Sequence, residues 1–154
     1  MYLKEKDILA CPDYWKRKKV YFFNATTFES IGEIEIKEEG KLEFHDLYKL
    51  DASRCFIYDD KEIFIFNVET MQYQKFTNTL YFGGSFYETF GKTRIPGLFI
   101  AKNREKLSLI NIDAKEQTNI KTDDGYNISD NGLIVIDDDT FATFGNLYIH
   151  FWKY

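Results

Sequence analysis

The chain is a succession of short segments rich in aromatic and β-branched residues, separated by Asp, Asn and Lys. Clear examples are KVYFFN at 19–24, EIFIFN at 62–67, KLSLINI at 106–112 and LYIHFW at 147–152. Segments of this length and composition are typical of β-strands. No window of a dozen residues carries the apolar stripe at i, i+3, i+4 and i+7 that marks an amphipathic helix. The pattern therefore predicts an all-β protein.

The pattern also repeats along the sequence. LYKLDASRCFIYDDKEIFIFN, residues 47–67, aligns without a gap to LIVIDDDTFATFGNLYIHFWK, residues 133–153, and the two share their apolar positions. Residues 97–116 and 7–29 are two further copies. Neighbouring units of a repeat architecture cover each other's apolar faces, so the repeated pattern predicts stacked units with one continuous core.

A short polar turn follows the second strand of each of the first three copies. The residues that close this strand are Asn24, Asn67, Asn111 and, in the last copy, Lys153, with spacings of 43, 44 and 42 residues. Asn tolerates left-handed backbone angles and can hydrogen-bond to its own main chain two residues further on. We therefore expect a hairpin after each Asn, leading to a third strand such as residues 30–37 or 72–76.

A fourth strand is expected to complete each unit, and the candidates are residues 42–50, 79–86 and 128–136. Four strands in a repeat of about 43 residues are the sequence signature of a β-propeller blade. We therefore predict one propeller-like domain over residues 1–154. Its blades are expected at approximately 1–46, 47–90, 91–130 and, as a partial blade, 131–154. A single β-sandwich or barrel is the alternative fold.

The segments KVYFFNATTFESIGEIEI, EIFIFNVETMQYQKF and FATFGNLYIHFWK resemble β-propeller repeats of the WD40 type, with Trp152 where that family commonly has its tryptophan. The resemblance covers nearly the whole chain, and the repeats are degenerate. Trp152 is followed by Lys153 where the family has Asp, and no Gly-His pair opens a blade. The resemblance implies an array of about four antiparallel blades without the family's internal hydrogen-bond network.

An array whose last unit is incomplete is expected to need a partner. Residues 2–6 are the segment expected to pair with the last unit if the array closes into a small ring. In an open array, six to ten apolar side chains at about 1.5 kcal/mol each would cost about 9 to 15 kcal/mol per end face. The net stability of a typical domain is only about 5 to 15 kcal/mol. We therefore expect a protein partner, a second copy or the remainder of a longer propeller to cover the exposed blade ends.

Composition and charge exclude several classes of protein. The 154 residues are 44% hydrophobic and 29% charged, which is typical of a globular domain. A net charge of −5 argues against binding to nucleic acid or to an anionic membrane surface. No run of 18 apolar residues and no signal sequence is found. We expect Cys11 and Cys55 to be buried thiols in a reducing compartment, and hence a cytoplasmic protein.

No sequence motif supports catalysis. His45 and His150 lie outside any metal-ligand spacing. The acidic runs at 59–60, 123–124 and 137–139 fit turns between strands better than a calcium loop. We therefore predict a protein-interaction scaffold with no enzymatic activity, catalytic residue, metal or cofactor. The alternative is an enzyme or glycan-binding propeller that uses acidic loop residues.

One loop combines an aromatic residue with a cluster of cations. WKRKK, residues 15–19, lies in the longest turn between the first two strands of any copy. Inserted loops are where binding residues concentrate. The predicted partner-binding residues are Trp15, Lys16, Arg17 and Lys18, with Trp15 as an anchor and Arg17 as a forked donor to an acidic partner. The alternative is a solvated basic turn that protects a strand edge.

Overall fold

A computed structural model describes residues 1–13, 18–38, 47–58, 62–77, 89–102, 107–120, 132–137, 139–144 and 149–153. Within these ranges the regular structure is β-strand, apart from a short 3-10 turn at Lys4–Lys6. The all-β prediction is therefore confirmed. The chain divides into two compact units, Met1–Thr79 and Leu80–Tyr154.

The first unit contains two antiparallel four-stranded sheets. The first sheet consists, in spatial order, of β1 (Tyr2–Leu3), β2 (Ile8–Pro12), β3 (Lys19–Asn24) and β4 (Ser30–Glu35). The second sheet consists of β5 (Leu47–Lys49), β6 (Arg54–Tyr58), β7 (Glu62–Asn67) and β8 (Gln72–Thr77). Each strand pairs only with its neighbours in sequence, so both sheets are simple meanders.

The second unit continues the same arrangement. The third sheet consists of β9 (Thr89–Lys92), β10 (Leu98–Lys102), β11 (Leu107–Asn111) and β12 (Glu116–Ile120). The last sheet has three strands in its described part: β13 (Gly132–Val135), β14 (Thr140–Phe144) and β15 (Ile149–Lys153). Four separate antiparallel sheets, the last with three strands among the described residues, confirm the propeller-like array and rule out a single sandwich or barrel.

The order of strands within a repeat differs from the predicted one. Strand β5, within the predicted strand 42–50, pairs with β6, and β13, within 128–136, pairs with β14. Each is therefore the first strand of its sheet and not the last strand of the preceding one. The reason is local, because a tight turn joins each of them to the strand that follows. Likewise β1 pairs with β2 and not with the last sheet. The predicted strand 79–86 lies outside the described residues.

The turn that follows β3, β7 and β11, the third strand of each of these sheets, is capped by the expected Asn. In each case the side-chain Oδ1 accepts hydrogen bonds of 2.7 to 3.1 Å from main-chain N–H groups two or three residues further on. The donors are Thr26 and Thr27 for Asn24, Glu69 and Thr70 for Asn67, and Ala114 for Asn111. The capping role of the Asn residues is thus confirmed.

The left-handed residue of these hairpins is a different one. It lies four positions after the Asn, at Phe28 (φ 59°), Met71 (φ 52°) and Lys115 (φ 56°). Asn tolerates this conformation but does not adopt it here, because each Asn is the last residue of its strand and serves the turn through its side chain. A left-handed residue after the turn restores the pairing of the returning strand.

The two sheets of the first unit pack face to face. The first sheet contributes Leu3, Ile8, Ala10, Val20, Phe22 and Ile34, and the second sheet contributes Cys55, Ile57, Phe64 and Phe66. Among the described residues, ion pairs Lys6–Glu69 (2.6 Å), Lys49–Glu5 (2.5 Å) and Lys75–Glu38 (2.9 Å) surround this apolar centre. The packing of one sheet on the next therefore has an apolar centre and a charged rim.

The two sheets of the second unit also pack through apolar side chains. The cluster consists of Ile100, Leu107, Leu109, Ile120, Leu133, Val135, Phe141 and Trp152. Side chains of β13 lie especially close to the backbone of β9 at Gly91. A Cβ at this position would lie 2.9 Å from both Leu133 Cδ2 and Val135 Cγ2. Only a glycine fits there without displacing its neighbours.

Candidate partner-binding surfaces

The basic turn between β2 and β3 is only partly described, because Trp15, Lys16 and Arg17 lie outside the described residues. Lys18 is half-buried, and its Nζ donates a hydrogen bond of 2.8 Å to the main-chain oxygen of Glu38. This cation is therefore held by the segment that follows β4. The role of residues 15–18 as a partner-binding site stays a prediction.

Lys19, which follows this turn, is bound by carboxylates of its own sheet. Its Nζ contacts Glu33 Oε1 and lies 3.9 Å from Glu35 Oε2. The hydrogen bond that Lys19 donates to Glu33 raises the pKa of Lys19, so the side chain stays charged. Part of the positive charge of the WKRKK segment is thus compensated within the first sheet.

In β3, β7, β11 and β15, residues at the same distance from the last residue of the strand lie on corresponding sides of their sheets. We count positions back from the last residue of each strand, which is Asn24 in β3 and Asn67 in β7. Positions −4 and −2 of β3 are Val20 and Phe22. They pack in one cluster with positions −3 and −1 of β7, which are Phe64 and Phe66. In the second unit, positions −4 and −2 of β11 belong to the same apolar cluster as Trp152, position −1 of β15. Within each unit, the first of the two sheets thus presents its −4/−2 side to the −3/−1 side of the second.

On the last sheet the −4/−2 side is open. Its residues Ile149 and Phe151 are 64% and 70% exposed. Strand pairing places Ile134, which is 54% exposed, and Phe151 on the same side, with Ala142 between them. Ile136, 41% exposed, follows on this side. We refer to Ile134, Ile136, Ile149 and Phe151 as the last-sheet face.

The other side of the same sheet is packed and hydrogen-bonded. The rings of Phe141 and Trp152 stack with centroids 6.1 Å apart and an interplanar angle of 12°. Trp152 Nε1 donates a hydrogen bond of 2.9 Å to Oγ1 of Thr143, which is fully buried. A buried hydroxyl needs such a partner, so this bond fixes the indole against the sheet.

The first sheet has an open side of the opposite type. Positions −3 and −1 of β3 are Tyr21 and Phe23, and strand pairing places Leu9 and Cys11 on the same side. These side chains are half-buried, except Cys11, which is exposed. Tyr2, paired with Leu9, extends this surface. We refer to Tyr2, Leu9, Cys11, Tyr21 and Phe23 as the first-sheet face.

The two cysteines differ in environment. Neither forms a disulfide, and Cys55 is buried as expected. Burial raises the pKa of the Cys55 thiol to about 12. Cys11 is exposed, so the prediction that it is a buried thiol is wrong. The physical reason is that Cys11 lies on the first-sheet face, whereas Cys55 lies between two sheets.

Two described aspartates, Asp51 and Asp137, cap turns between strands. Asp51 Oδ1 accepts hydrogen bonds from the N–H groups of Ser53 (2.9 Å) and Arg54 (2.8 Å), and Asp137 Oδ1 accepts one from Asp139 (3.1 Å). Residues 59–60, 123–124 and 138, as well as His45, lie outside the described part of the chain.

Within the ranges that the structure describes, no group of three or more His, Cys, Asp and Glu side chains is arranged to hold a metal ion. The helical structure in the same ranges offers no segment with the length and hydrophobicity to cross a bilayer.

Solved structures with a similar fold include β-propellers. The chain matches the WD40 repeats of RRP9 with a TM-score of 0.69 and 11% identity, over 100% of its own length and 47% of that chain. It matches the β-propeller domain of Myceliophteria thermophila Cps50 (Swd1) with a TM-score of 0.69 and 14% identity, over 100% of its own length and 52% of that chain. No protein-family model and no curated protein sequence matches it.

A third match is dihydro-heme d1 dehydrogenase NirN in complex with DHE, with a TM-score of 0.68 and 10% identity, over 97% of this chain and 32% of that one. The chain thus spans about half, or less, of the length of these proteins. The resemblance to WD40-type repeats is confirmed for the fold: the chain is similar to WD40 β-propellers and has four antiparallel sheets, of which the last has three strands in its described part.

Proposed function

We propose that the protein is a protein-interaction scaffold module of the cytoplasm, without catalytic activity of its own. The observation that carries this proposal is the last-sheet face, where four large apolar side chains lie open to solvent on a sheet whose other side is packed. Contiguous exposed apolar patches on soluble proteins mark interaction sites.

The equivalent positions elsewhere in the chain support this interpretation. Positions −4 and −2 of β7, Ile63 and Ile65, are buried, as are Val20 and Phe22 in β3. The same positions of β15 carry the same kind of side chain in an exposed setting. Covering a side chain of this size stabilises by about 1.5 to 3 kcal/mol, so a partner seated on Ile149 and Phe151 gains a substantial driving force.

The basic turn is the second proposed contact. Trp15 supplies an aromatic anchor, and Arg17, with Lys16 and Lys18, supplies donors to an acidic partner. Aromatic and Arg side chains dominate the energetics of most interfaces, which supports this assignment. This loop carries consecutive cations, whereas the whole chain has a net charge of −5.

The scaffold proposal is tested by co-purification. The tagged full chain is isolated from its native cells alongside Phe151→Asp, Trp15→Ala with Arg17→Glu, and a control, Phe28→Asp. Phe28 is 71% exposed at a hairpin turn, outside both proposed contacts. We expect a partner protein at fixed stoichiometry with the wild type and the control, and its loss from at least one of the other two variants. Recovery of the same proteins with all four chains would contradict the proposed surfaces.

The fold occurs in an enzyme as well, since NirN is a dehydrogenase. A thermal-shift screen with calcium and simple glycans separates the scaffold from an enzyme or glycan-binding propeller. A ligand at 100 times its dissociation constant adds about 2.7 kcal/mol to the free energy of unfolding. We expect no shift with any of these ligands; a reproducible shift would favour the alternative.

A further inference from the structure

We propose that the last-sheet face of one copy of this chain packs against the first-sheet face of a second copy. This inference names a partner for the apolar surface on which the proposed function rests. It follows from how the sheets pack within each unit, from the charges beside the two faces, and from the length of the chain.

The two open faces correspond to the two types of sheet side that pack on each other inside each unit. Within the first unit, the −4/−2 side of β3 packs on the −3/−1 side of β7, and within the second unit β11 and β15 pack in the same sense. The last-sheet face is a −4/−2 side, and the first-sheet face is a −3/−1 side. A contact between them repeats an arrangement that the chain already uses.

The charges beside the two faces are complementary. Lys153 is exposed and lies on the same side of β15 as Phe151. Glu33 and Glu35 lie on the same side of the first sheet as Tyr21, because Glu33 pairs with Tyr21 and Glu35 with Lys19. Lys19 lies on this side as well and contacts both carboxylates, so the three groups together leave one net negative charge. A Lys opposite Glu residues reproduces the charged rim of the sheet packing in the first unit. Complementary charges of this kind set the register of an interface.

The proposed contact joins two different surfaces, the last-sheet face and the first-sheet face, and each copy carries both. A contact between unlike surfaces either closes a ring or propagates into an open chain of copies. The chain covers 47% of the RRP9 structure and 52% of the Cps50 domain, so two copies have the length of one such propeller. This length favours closure by two copies that make the contact twice.

The molar mass of the purified full chain tests the contact. We expect the wild type to reach twice the monomer mass of 18.3 kDa with increasing concentration. Phe151→Asp and Cys11→Asp each place a carboxylate on one face at an exposed position, so folding is preserved, and each is expected to weaken association at least about tenfold. The control Phe28→Asp is expected to associate like the wild type.

Mixing the two face variants tests the direction of the contact. Phe151→Asp keeps an intact first-sheet face, and Cys11→Asp keeps an intact last-sheet face. Each is expected to be monomeric alone, and an equimolar mixture is expected to form a heterodimer. A wild type that stays monomeric at every concentration overturns the proposal. A dimer that Phe151→Asp abolishes and Cys11→Asp leaves intact also overturns it, because the last-sheet faces would then pair with each other.

These outcomes are separable from those of the scaffold proposal. The mass measurement uses the purified chain alone, whereas co-purification detects other proteins. A monomeric wild type that recovers a partner from cells refutes the second-copy contact and leaves the scaffold function standing. A chain that dimerises but recovers no other protein from cells supports the second-copy contact and refutes the scaffold function.

Discussion

The two sides of the last sheet have similar composition and opposite environments. On one side, Phe141 is fully buried and stacks on Trp152, while on the other side Ile149 and Phe151 face solvent. Both sides come from the same three strands and alternate residue by residue. The difference teaches that strand composition determines what a sheet is able to bury, whereas a neighbouring sheet determines what it does bury.

The largest expected difference between the two sides is in the contribution of an aromatic ring to stability. Phe141→Ala is expected to lower the free energy of unfolding by about 3 to 5 kcal/mol, because it removes buried contacts and leaves a cavity. Phe151→Ala is expected to change it by less than about 0.5 kcal/mol, as is usual at exposed positions. Both are measured by urea denaturation in the Cys11→Asp background, in which the chain is expected to be monomeric. Equal effects would contradict the assignment of a packed side and an open side.

A methyl group added on the packed side tests how closely the third and last sheets approach. Gly91→Ala is expected to lower the free energy of unfolding by about 1 to 3 kcal/mol, because its Cβ would overlap Leu133 and Val135. Thermal denaturation measures the loss. Combining Gly91→Ala with Val135→Ala makes room for the new group, so the double variant should lose less than the sum of the two single losses. Simple additivity would indicate that the close approach is absent.

Loss of the hydrogen bond on the packed side is expected to have an effect of similar size. Trp152→Phe removes the donor to Thr143 Oγ1 and should cost about 1 to 3 kcal/mol, because the buried hydroxyl loses its partner. Adding Thr143→Val removes the stranded hydroxyl and should recover part of the loss. Denaturant unfolding of the two single variants and the double variant checks this coupling. Phe151→Tyr on the open side is the matched aromatic control and should leave stability unchanged.

The smallest expected effect lies at the turn that joins β13 and β14. The N–H group of Asp139 lowers the pKa of Asp137. Since the pKa is lower in the folded state, ionised Asp137 favours folding, and its contribution is present above about pH 4 and lost as the pH falls through the folded-state pKa. Asp137→Asn keeps the acceptor without the charge. The free energy of unfolding of this variant should therefore fall less steeply than that of the wild type on acidification, and parallel curves would contradict the effect.

The strands and the hairpin caps were largely predictable from the sequence. Segments such as KVYFFN and EIFIFN match β3 and β7 residue for residue, and the Asn residues cap the turns as expected. The assignment of β5 and β13 to a sheet was not predictable, because a strand between two connections can pair with either neighbour. The short turns at Asp51 and Asp137 determine that choice, and their capping bonds are visible only in the structure.

The candidate surface was only half predictable. The expectation of an apolar end face followed from the incomplete last repeat, but its residues did not, because LYIHFW is apolar on both sides of the strand. Strands covered on both faces lose the alternation that would distinguish an inner from an outer side. The loop at residues 15–18 is distinguished in the sequence by its charge and aromatic content, and most of it lies outside the described residues. The exposed Ile149 and Phe151 carry no such compositional signal.

Strand pairing in the described sheets joins only neighbours in sequence, and this bears on how the chain folds. Hairpins close over short loops, so little chain entropy opposes their formation, and proteins rich in such local pairings tend to fold quickly. In a row of similar repeats, folding can begin at more than one place and spread to adjacent members. The kinetics of this chain should therefore be governed less by the search for distant strand partners than by the docking of sheets that have already formed.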